Sequence, residues 1–338
     1  MIEQQLRESF ARHEVDAPNV ESLREGIVAL GGKRRRRRIA LRSTGVAAIV
    51  AVVLLAVPFV LKNVPDRLPH IAPAATATLP EGPLNFLVLG LEPYDPPGSD
   101  SITVVHLSGD HRRAYLIDVE RDLLVDIPGH GQGKITSAYR MGGAKLTAQI
   151  VQSLTGITFN GIATVTGDAL RDLTNAVDGI DLCLPETVKS IHTGRTFPAG
   201  CYHLDGAAVE DLVRQRMNLS MGAYARDANI QRVMMALVAR VHTLNLLTDA
   251  TRVAALLRVR GLQVDLGSID ALGLAAQLKN LDRKDLVGIV APYYNSVDLD
   301  GVAYEKLDSR VTPQLFETLR NDTLDQFAAA HPDWLVNH

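Results

Sequence analysis

The sequence predicts an α/β domain in which helices flank a mixed central β-sheet, preceded by one transmembrane helix. Two observations predict this architecture. From residue 84 onward, short apolar segments with strand character alternate with segments of helical periodicity, which is typical of a sheet covered by helices. Before that point, one uncharged and mostly apolar stretch, 44–61, is long enough to cross a bilayer.

The transmembrane helix is predicted for residues 39–61, because the stretch 44–61 continues past Arg42, whose long side chain can reach the membrane interface. Its basic flank, 33–38, precedes it, and the positive-inside rule therefore places the amino terminus in the cytoplasm. A cleaved signal peptide is the alternative, but its charged and apolar regions are normally shorter. We expect a single-pass protein of the cell membrane with an extracytoplasmic main domain.

Composition divides the rest of the chain. We predict a basic cytoplasmic tail at 1–38, a proline-rich linker at 62–83, a folded domain at 84–325 and a carboxy-terminal tail at 326–338. The first 43 residues carry ten Lys and Arg against six Asp and Glu, so the total net charge of −3 leaves −7 for the remainder. An acidic main domain argues against a nucleic-acid partner, because nonspecific binding needs a broad basic surface.

Within the domain, periodicity and turn residues assign the elements in order. Strands are predicted at 85–89, 101–107, 114–119, 161–166, 180–184 and 286–290. Helices are predicted at 143–154, 168–177, 205–213, 226–247, 272–278 and 311–329.

The two cysteines, Cys183 and Cys201, lie in the part of the chain that the charge rule places outside the cell, where thiols are oxidised. We expect one disulfide, contributing about 3 kcal/mol by limiting the unfolded chain. Two free thiols are the alternative. A zinc site with His192 and His203 is disfavoured, because Cys201 and His203 are too close for the usual ligand spacing.

Several known catalytic motifs are absent from the sequence. The segment 129–135 (GHGQGKI) is similar to a nucleotide-binding loop, but its first glycine is wrongly spaced and no Ser or Thr follows Lys134. Neither a G-x-S-x-G elbow nor an H-E-x-x-H motif occurs. The sequence therefore indicates neither an α/β-hydrolase nor a zinc protease.

A group of charged residues stands at the ends of predicted elements, where strands and helices deliver side chains to a common edge. Arginine holds phosphate oxygens through two parallel hydrogen bonds, and carboxylates can hold a Mg²⁺ ion that bridges such oxygens. The pattern suits a pyrophosphate, although each residue alone also fits a surface ion pair. The group consists of Asp100, Arg121, Asp122, Arg214, Arg216 and Arg226.

Three blocks of short motifs occur in the main domain. They are 85–90 (NFLVLG) with 98–101 (GSDS); 120–122 (ERD), 125–129 (VDIPG), 134–135 (KI), 138–139 (AY) and 142–143 (GG); and 197–200 (FPAG), 203–207 (HLDGA) and 213–216 (VRQR). In order and spacing these blocks resemble the LytR-CpsA-Psr family of membrane-anchored cell-wall transferases, closely from 83 to 247 and more loosely up to 322. Together with the membrane topology they make the resemblance specific.

The resemblance implies transfer of a glycopolymer from a polyprenyl pyrophosphate carrier to a hydroxyl of peptidoglycan, assisted by Mg²⁺. The implied partners are the lipid-linked glycopolymer, peptidoglycan and membrane lipid. Asp100 and Glu92 are the implied metal ligands. The implied pyrophosphate ligands are Arg121, Arg214, Arg216, Arg226, Gln231 and Lys134, and the implied catalytic group is Arg121, Asp122, Arg214, Arg216 and Arg226.

The helix predicted at 226–247 carries an apolar stripe with two interpretations. In a lipid-binding transferase it would line a slot for the prenyl chain, whereas such a stripe is more often core packing. Its residues are Val233, Met234, Leu237, Val238 and Val241.

Several positions depart from the family pattern. In the family's D-x-G-R-x-x-R-Q block the missing Asp leaves the role of base or metal ligand to Asp227 or Asp122. The alternative function is therefore a family member with weakened catalysis that binds lipid-linked polymer as a scaffold or regulator of cell-envelope assembly. The departures are Glu92 for Asp, Gly98 for Arg, Glu120 for Pro, Ala223 for Asp, Asn229 for Arg and Ile230 for Gln, while Arg226 and Gln231 are retained.

The predicted topology can be tested with engineered cysteines. A thiol reagent that cannot cross membranes should label a cysteine introduced at Thr76, beyond the predicted span, and should not label one introduced at Glu14. Permeabilised cells, in which both positions should react, provide the control. Labelling at Glu14 alone in intact cells would reverse the topology.

Overall fold

The structure is a computed structural model that describes residues 79–246, 256, 258–269, 274–275, 278–279, 281–293 and 296–336. The predicted tail 1–38, transmembrane helix 39–61 and most of the linker lie outside the described residues, as does most of the helix predicted at 272–278. Among the helices that are described, none has the length and apolar character needed to cross a membrane.

A seven-stranded mixed sheet forms the centre of the domain, in the order β11-β6-β1-β2-β3-β12-β15. The pairs β1/β6 and β3/β12 are parallel, whereas β2 runs antiparallel to both of its neighbours. The mixed sheet predicted from sequence is therefore confirmed. The strands are β1 Leu84–Leu91, β2 Ser99–Leu107, β3 Ala114–Asp118, β4 Leu124–Ile127, β5 Gly131–Lys134, β6 Gly161–Thr166, β7 Ile180–Leu184, β8 Val188–Lys189, β9 Thr196–Phe197, β10 Gly200–Leu204, β11 Leu262–Asp265, β12 Leu286–Val290, β13 Val297–Leu299, β14 Val302–Tyr304 and β15 Leu335–Val336.

Helices cover both faces of the sheet. Every residue of β1 is buried, because alternate side chains point into separate cores. Phe86 and Val88 face the core built with α2, α3 and α4, whereas Leu87 and Leu89 face the core built with α1, α5 and α6. The helices are α1 Thr136–Thr155, α2 Gly167–Ala176, α3 Gly206–Val213, α4 Ala223–Thr243, α5 Thr312–Arg320 and α6 Leu324–Ala330, with 3₁₀ turns at Arg283–Asp285 and Pro332–Trp334.

Two predicted helix boundaries were wrong. Helix α1 begins at Thr136, seven residues before the predicted start, and continues across a kink in which Gly143 adopts a positive φ of 67°. The single helix predicted at 311–329 is two helices. The chain breaks at Asp322, whose φ is 55° and whose carboxylate accepts a hydrogen bond from the backbone N–H of Gly109 and lies 2.8 Å from His106 Nε2.

The predicted disulfide between Cys183 and Cys201 is present. The two residues are direct partners in the antiparallel pair β7/β10, which explains why cysteines 18 positions apart in sequence can meet. The bond joins the strands that lead into and out of the segment 185–199.

The prediction that residues 326–338 form a carboxy-terminal tail is corrected by the structure. Phe327 of α6 is 2% exposed in the core beneath the sheet, and β15 pairs antiparallel with β12 at Gly288–Val336 and Ile289–Leu335. An unpaired β12 edge would present free backbone groups, and β15 satisfies part of that edge. The fold therefore extends at least to Val336.

If this segment belongs to the fold, Phe327→Ala should lower the free energy of unfolding by about 3–5 kcal/mol, through lost burial and the cavity left behind. Urea unfolding followed by the fluorescence of the single tryptophan measures the change. Ile191→Ala, at a side chain with 55% exposure, is the control and should change stability by less than about 0.5 kcal/mol. Equal effects of the two variants would contradict the assignment.

Candidate active site

The sheet topology brings the predicted charged residues to one edge. Glu92 follows the carboxyl end of β1, and Arg121 follows the carboxyl end of β3. Asp100 stands at the amino end of β2, which runs antiparallel between them. Opposite strand directions therefore place these three residues side by side. This edge is where ligands typically bind in α/β folds.

Arg121 lies between two carboxylates. Its Nη1 donates to Glu92 Oε1 at 3.1 Å, and the same nitrogen contacts Asp100 Oδ1. The Arg121 side chain as a whole is 24% exposed, so part of it faces solvent. On the other side of Glu92, Arg140 of α1 donates from Nη2 to Oε2 at 3.1 Å. Sequence reasoning missed Arg140, because it lies in the part of α1 that was not predicted as helix.

Gly98 and Glu92, two departures from the family pattern, contact each other. Glu92 N donates to the carbonyl of Gly98 at 2.9 Å, and a Cβ at position 98 would lie only 2.7 Å from Glu92 Oε2. A side chain at 98 would therefore displace the carboxylate. The absence of a side chain at Gly98 therefore leaves room for the Glu92 carboxylate in its present position.

A second set of ion pairs surrounds Asp122. Lys134 at the end of β5 donates to Oδ1 at 2.8 Å, and Arg216 donates to Oδ2 at 2.7 Å. Burial alone would raise the pKa of Asp122, but these hydrogen bonds and the nearby guanidinium charges lower the pKa to about 2. Asp122 is therefore ionised at neutral pH and holds two cations at the edge of the site.

Arg226, near the start of α4, connects the exposed site to the protein interior. Its side chain is 5% exposed, and its Nη2 donates to Asp227 Oδ1 at 2.7 Å and to Glu120 Oε2 at 3.1 Å. Its Nη1 lies 3.9 Å from Asp100 Oδ1. Burial lowers the pKa of the Arg226 guanidinium, but the charges of Asp227 and Glu120 outweigh burial and shift the pKa upward.

Three carboxyl groups are buried around Arg226. Burial raises the pKa of Asp118 to about 7, and burial together with the charge of Asp227 raises the pKa of Glu120 to about 8. Burial also raises the pKa of Asp227, which accepts a hydrogen bond from the Tyr293 hydroxyl at 3.1 Å. Asp118 and Glu120 were not predicted as site residues. The sequence signal that could have identified this group is Asp118, which ends the otherwise apolar strand β3.

One predicted ligand, Gln231, occupies another position. It is fully buried and donates from Nε2 to the carbonyl of Ile289 at 2.8 Å, so its side chain serves the contact between α4 and β12. Arg214, at the carboxy-terminal cap of α3, has its Nη1 3.9 Å from Glu210 Oε1. The contact of Gln231 could not be read from spacing, because the rotation of a helix about its axis decides which side chains face the site.

The predicted lipid slot and the predicted substitute acid are also corrected. The apolar stripe of α4 is 0–3% exposed and packs in the core with α2 and α3, so core packing is the interpretation that holds. Asp227 is 0% exposed and bound by Arg226 and Tyr293, which prevents it from touching an acceptor. The stripe consists of Val233, Met234, Leu237, Val238 and Val241.

The two predicted metal ligands fit part of a magnesium shell. Glu92 and Asp100 contact the same Arg121 nitrogen, so their carboxylates converge on one point. Mg²⁺ is commonly bound by one or two carboxylates, with waters and phosphate oxygens completing the octahedron. Across the described part of the chain, no group of three or more His, Cys, Asp or Glu residues is arranged to hold a metal by itself. A metal here would need oxygens from a ligand.

The fold and this edge define an α/β domain with an arginine-rich site of the kind that recognises phosphate groups. The chain belongs to the LytR_cpsA_psr family, whose family model matches residues 66–321.

Curated relatives and solved structures agree with the family. The polyisoprenyl-teichoic acid–peptidoglycan teichoic acid transferase TagU of Enterococcus faecalis is 27% identical over 248 residues, which cover 71% of this chain and 79% of TagU. The probable cell wall biosynthesis protein LcpB of Corynebacterium glutamicum is 28% identical, and the match covers 56% of this chain and 51% of LcpB. The structure of TagT bound to LIIa-WTA has the same fold, with a TM-score of 0.60 at 24% identity, over 76% of this chain and 94% of that one.

The buried carboxyl groups make stability dependent on pH. The pKa of Glu120 is about 8 in the folded protein and about 4.3 when unfolded, so its contribution is complete below pH 4 and is lost as pH rises to 8. Glu120→Gln cannot ionise. The free energy of unfolding of this variant, relative to wild type, should therefore increase by about 2–4 kcal/mol between pH 5 and 8.

Urea titrations at pH 5, 6.5 and 8 provide the measurement. Glu317→Gln, at an exposed position on α5, is the matched control and should track wild type at each pH. A constant difference between Glu120→Gln and wild type would show that Glu120 does not retain its proton in the fold.

Proposed function

We propose that this protein is a membrane-anchored transferase that attaches a polyprenyl-pyrophosphate-linked glycopolymer to peptidoglycan and releases the lipid carrier. The observation that carries the proposal is the edge where Arg121, Arg216 and Arg226 converge on Asp100 and Asp122. The transferase name of TagU and the lipid-linked ligand of TagT agree with this chemistry. The main domain would act outside the cytoplasmic membrane, tethered through the span predicted at 39–61.

The arginines have distinct roles in this proposal. Arg121 and Arg216 are partly exposed and can exchange a carboxylate for a phosphate oxygen, since both anions suit the guanidinium fork. Arg226 is buried, so its charge acts on the site from a fixed position. A pre-oriented cation stabilises charge that develops on a leaving pyrophosphate without the cost of reorganising solvent.

Magnesium, held by Asp100 and Glu92 together with phosphate oxygens, would neutralise charge on the pyrophosphate. The chain's own residues prepare this position. Arg121 contacts both carboxylates before a ligand binds, and Arg140 fixes the second oxygen of Glu92.

The two acids that could replace the missing Asp, Asp227 and Asp122, are poorly suited to take the acceptor proton. Ala223 stands where the family has Asp, and Asp227 is enclosed by Arg226 and Tyr293. Asp122 is buried, both of its oxygens are held by Lys134 and Arg216, and its lowered pKa makes it a weak base. These observations favour, as a second candidate function, a protein that binds lipid-linked polymer as a scaffold or regulator with little turnover.

Both candidate functions require binding of a polyprenyl pyrophosphate, and replacing Arg121 tests that step. Arg121→Ala should weaken binding of a polyprenyl pyrophosphate by about 30-fold or more, because a charge-assisted contact worth about 2–3 kcal/mol is lost. Arg121→Lys should restore only part of the affinity, because it keeps the charge without the fork. Binding can be measured with the full-length protein in detergent, with exposed Arg195→Ala as control.

Turnover separates the two candidate functions. A transferase should release the lipid carrier from a glycosylated polyprenyl pyrophosphate in the presence of peptidoglycan, faster with Mg²⁺ than with a chelator. Binding without release would favour the scaffold. If Arg121→Ala binds the polyprenyl pyrophosphate with wild-type affinity, both candidate functions lose their support.

A further inference from the structure

A cavity of about 400 Å³ lies beside α4, on a different face of the helix from Arg226. This volume is within the range of about 300–1,000 Å³ found for small-molecule sites. Tyr224, Ala228 and Arg232 follow one another at intervals of four, so they line one side of the helix. The opposite wall is formed by Asp333, Trp334, Leu335 and Val336.

One wall of the cavity comes from the carboxy-terminal segment. The family model matches residues up to 321, whereas Trp334 and its neighbours lie beyond that match. Pairing of β15 with β12 holds this wall in place, since Leu335 opposes Ile289 and Val336 opposes Gly288. The cavity therefore depends on β15 for part of its lining.

Aromatic rings form one part of the lining. The ring centroids of Tyr224 and Trp334 are 5.8 Å apart, with their planes inclined at 38°. Tyr224 also stacks on Tyr293 at 4.0 Å, and its hydroxyl accepts a hydrogen bond from Tyr293 N at 3.2 Å. These contacts fix Tyr224 before any ligand binds.

The rest of the lining is apolar apart from five polar residues, which are Glu186, Ser220, Asn229, Arg232 and Asp333. Asn229 and Arg232 are 2% and 8% exposed, and Arg232 Nη1 donates to Asn229 Oδ1 at 2.9 Å. Glu186 lies at the cavity as well, held by the N–H and hydroxyl of Ser220, both at 3.0 Å. The lining thus combines fixed donors and acceptors with aromatic surface.

This combination points to a sugar ring. A pyranose has an apolar face that packs on an aromatic ring and a rim of hydroxyl groups that exchange hydrogen bonds with carboxylates, amides and guanidinium groups. A hydrocarbon chain in the same space would desolvate Arg232 and Glu186 without replacing their hydrogen bonds with water, which is costly.

We propose that the cavity lined by Tyr224, Asn229, Arg232 and Trp334 is a carbohydrate subsite that binds one sugar ring of the transferase's glycan substrates. The inference rests on the proposed function, because that function requires sugars on both donor and acceptor. Asn229 has a direct role here. At the position where the family has a second arginine, this chain presents an amide at the cavity, one helical turn from Arg232.

The probes for the test are N,N′-diacetylchitobiose, a polyprenyl pyrophosphate, and the same lipid carrying that disaccharide. Each is titrated against the full-length protein in detergent. Trp334→Ala removes the aromatic wall, and Asn229→Leu keeps the branched shape of the side chain while removing the polar group. Tyr202→Ala, at a partly exposed tyrosine on β10, is the matched control, and unfolding curves confirm that each variant is folded.

If the cavity binds sugar, both variants should weaken disaccharide binding by tenfold or more and leave the plain lipid's affinity within twofold of wild type. If the variants bind the free disaccharide more weakly than wild type, the cavity binds a sugar of the acceptor. If instead the glycosylated lipid no longer binds more tightly than the plain lipid, the cavity binds a sugar of the donor. Either result supports the inference.

Wild-type protein that binds the plain lipid but gains nothing from sugar, free or attached, would overturn the inference and leave the proposed function intact. Variants that weaken the plain lipid instead would overturn it in favour of a hydrocarbon pocket. Failure of the wild type to bind any of the three probes would contradict both the subsite and the proposed function.

Discussion

The buried guanidinium of Arg226 is the interaction on which the site depends. Asp118, Glu120 and Asp227 lie in the same interior, where an unpaired charge is costly because water cannot solvate it. Arg226 bonds directly to Asp227 and Glu120, and its remaining nitrogen faces Asp100. One cation therefore stabilises the buried acids and also sets the charge that a ligand meets at the surface.

The buried acids and the ion pairs of the site lie close together, because the sheet places the residues of both at one edge. The carboxyl end of β3 supplies Asp118, Glu120, Arg121 and Asp122 in succession. The first two point into the interior network, and the last two hold the ion pairs at the edge of the site. Five consecutive positions thus lead from acids whose pKa values are raised by burial to the ion pairs of Arg121 and Asp122.

Contacts in the structure give a physical reason for three of the replaced family positions. Glu92 has room because residue 98 is glycine, and Glu120, which replaces Pro, is paired with Arg226. Asn229 accepts a hydrogen bond from the guanidinium of Arg232, one helical turn later on α4.

The sequence by itself determined the elements whose signal is local. Strands β1, β2, β3, β6, β7 and β12 were predictable because their apolar runs are bounded by turns, and strand order then brought Asp100 and Arg121 together. The Cys183–Cys201 pairing was also predictable, since only two cysteines exist.

Only the tertiary structure decided which way side chains face and what covers them. The orientation of α4 sends Gln231 to a backbone carbonyl and Arg226 to the site, although both belong to the same block. The burial that raises the pKa of Glu120, and the β15 strand that closes the cavity, both come from segments far apart in sequence. Periodicity reports which residues are apolar, but contact and desolvation depend on neighbours that only the fold supplies.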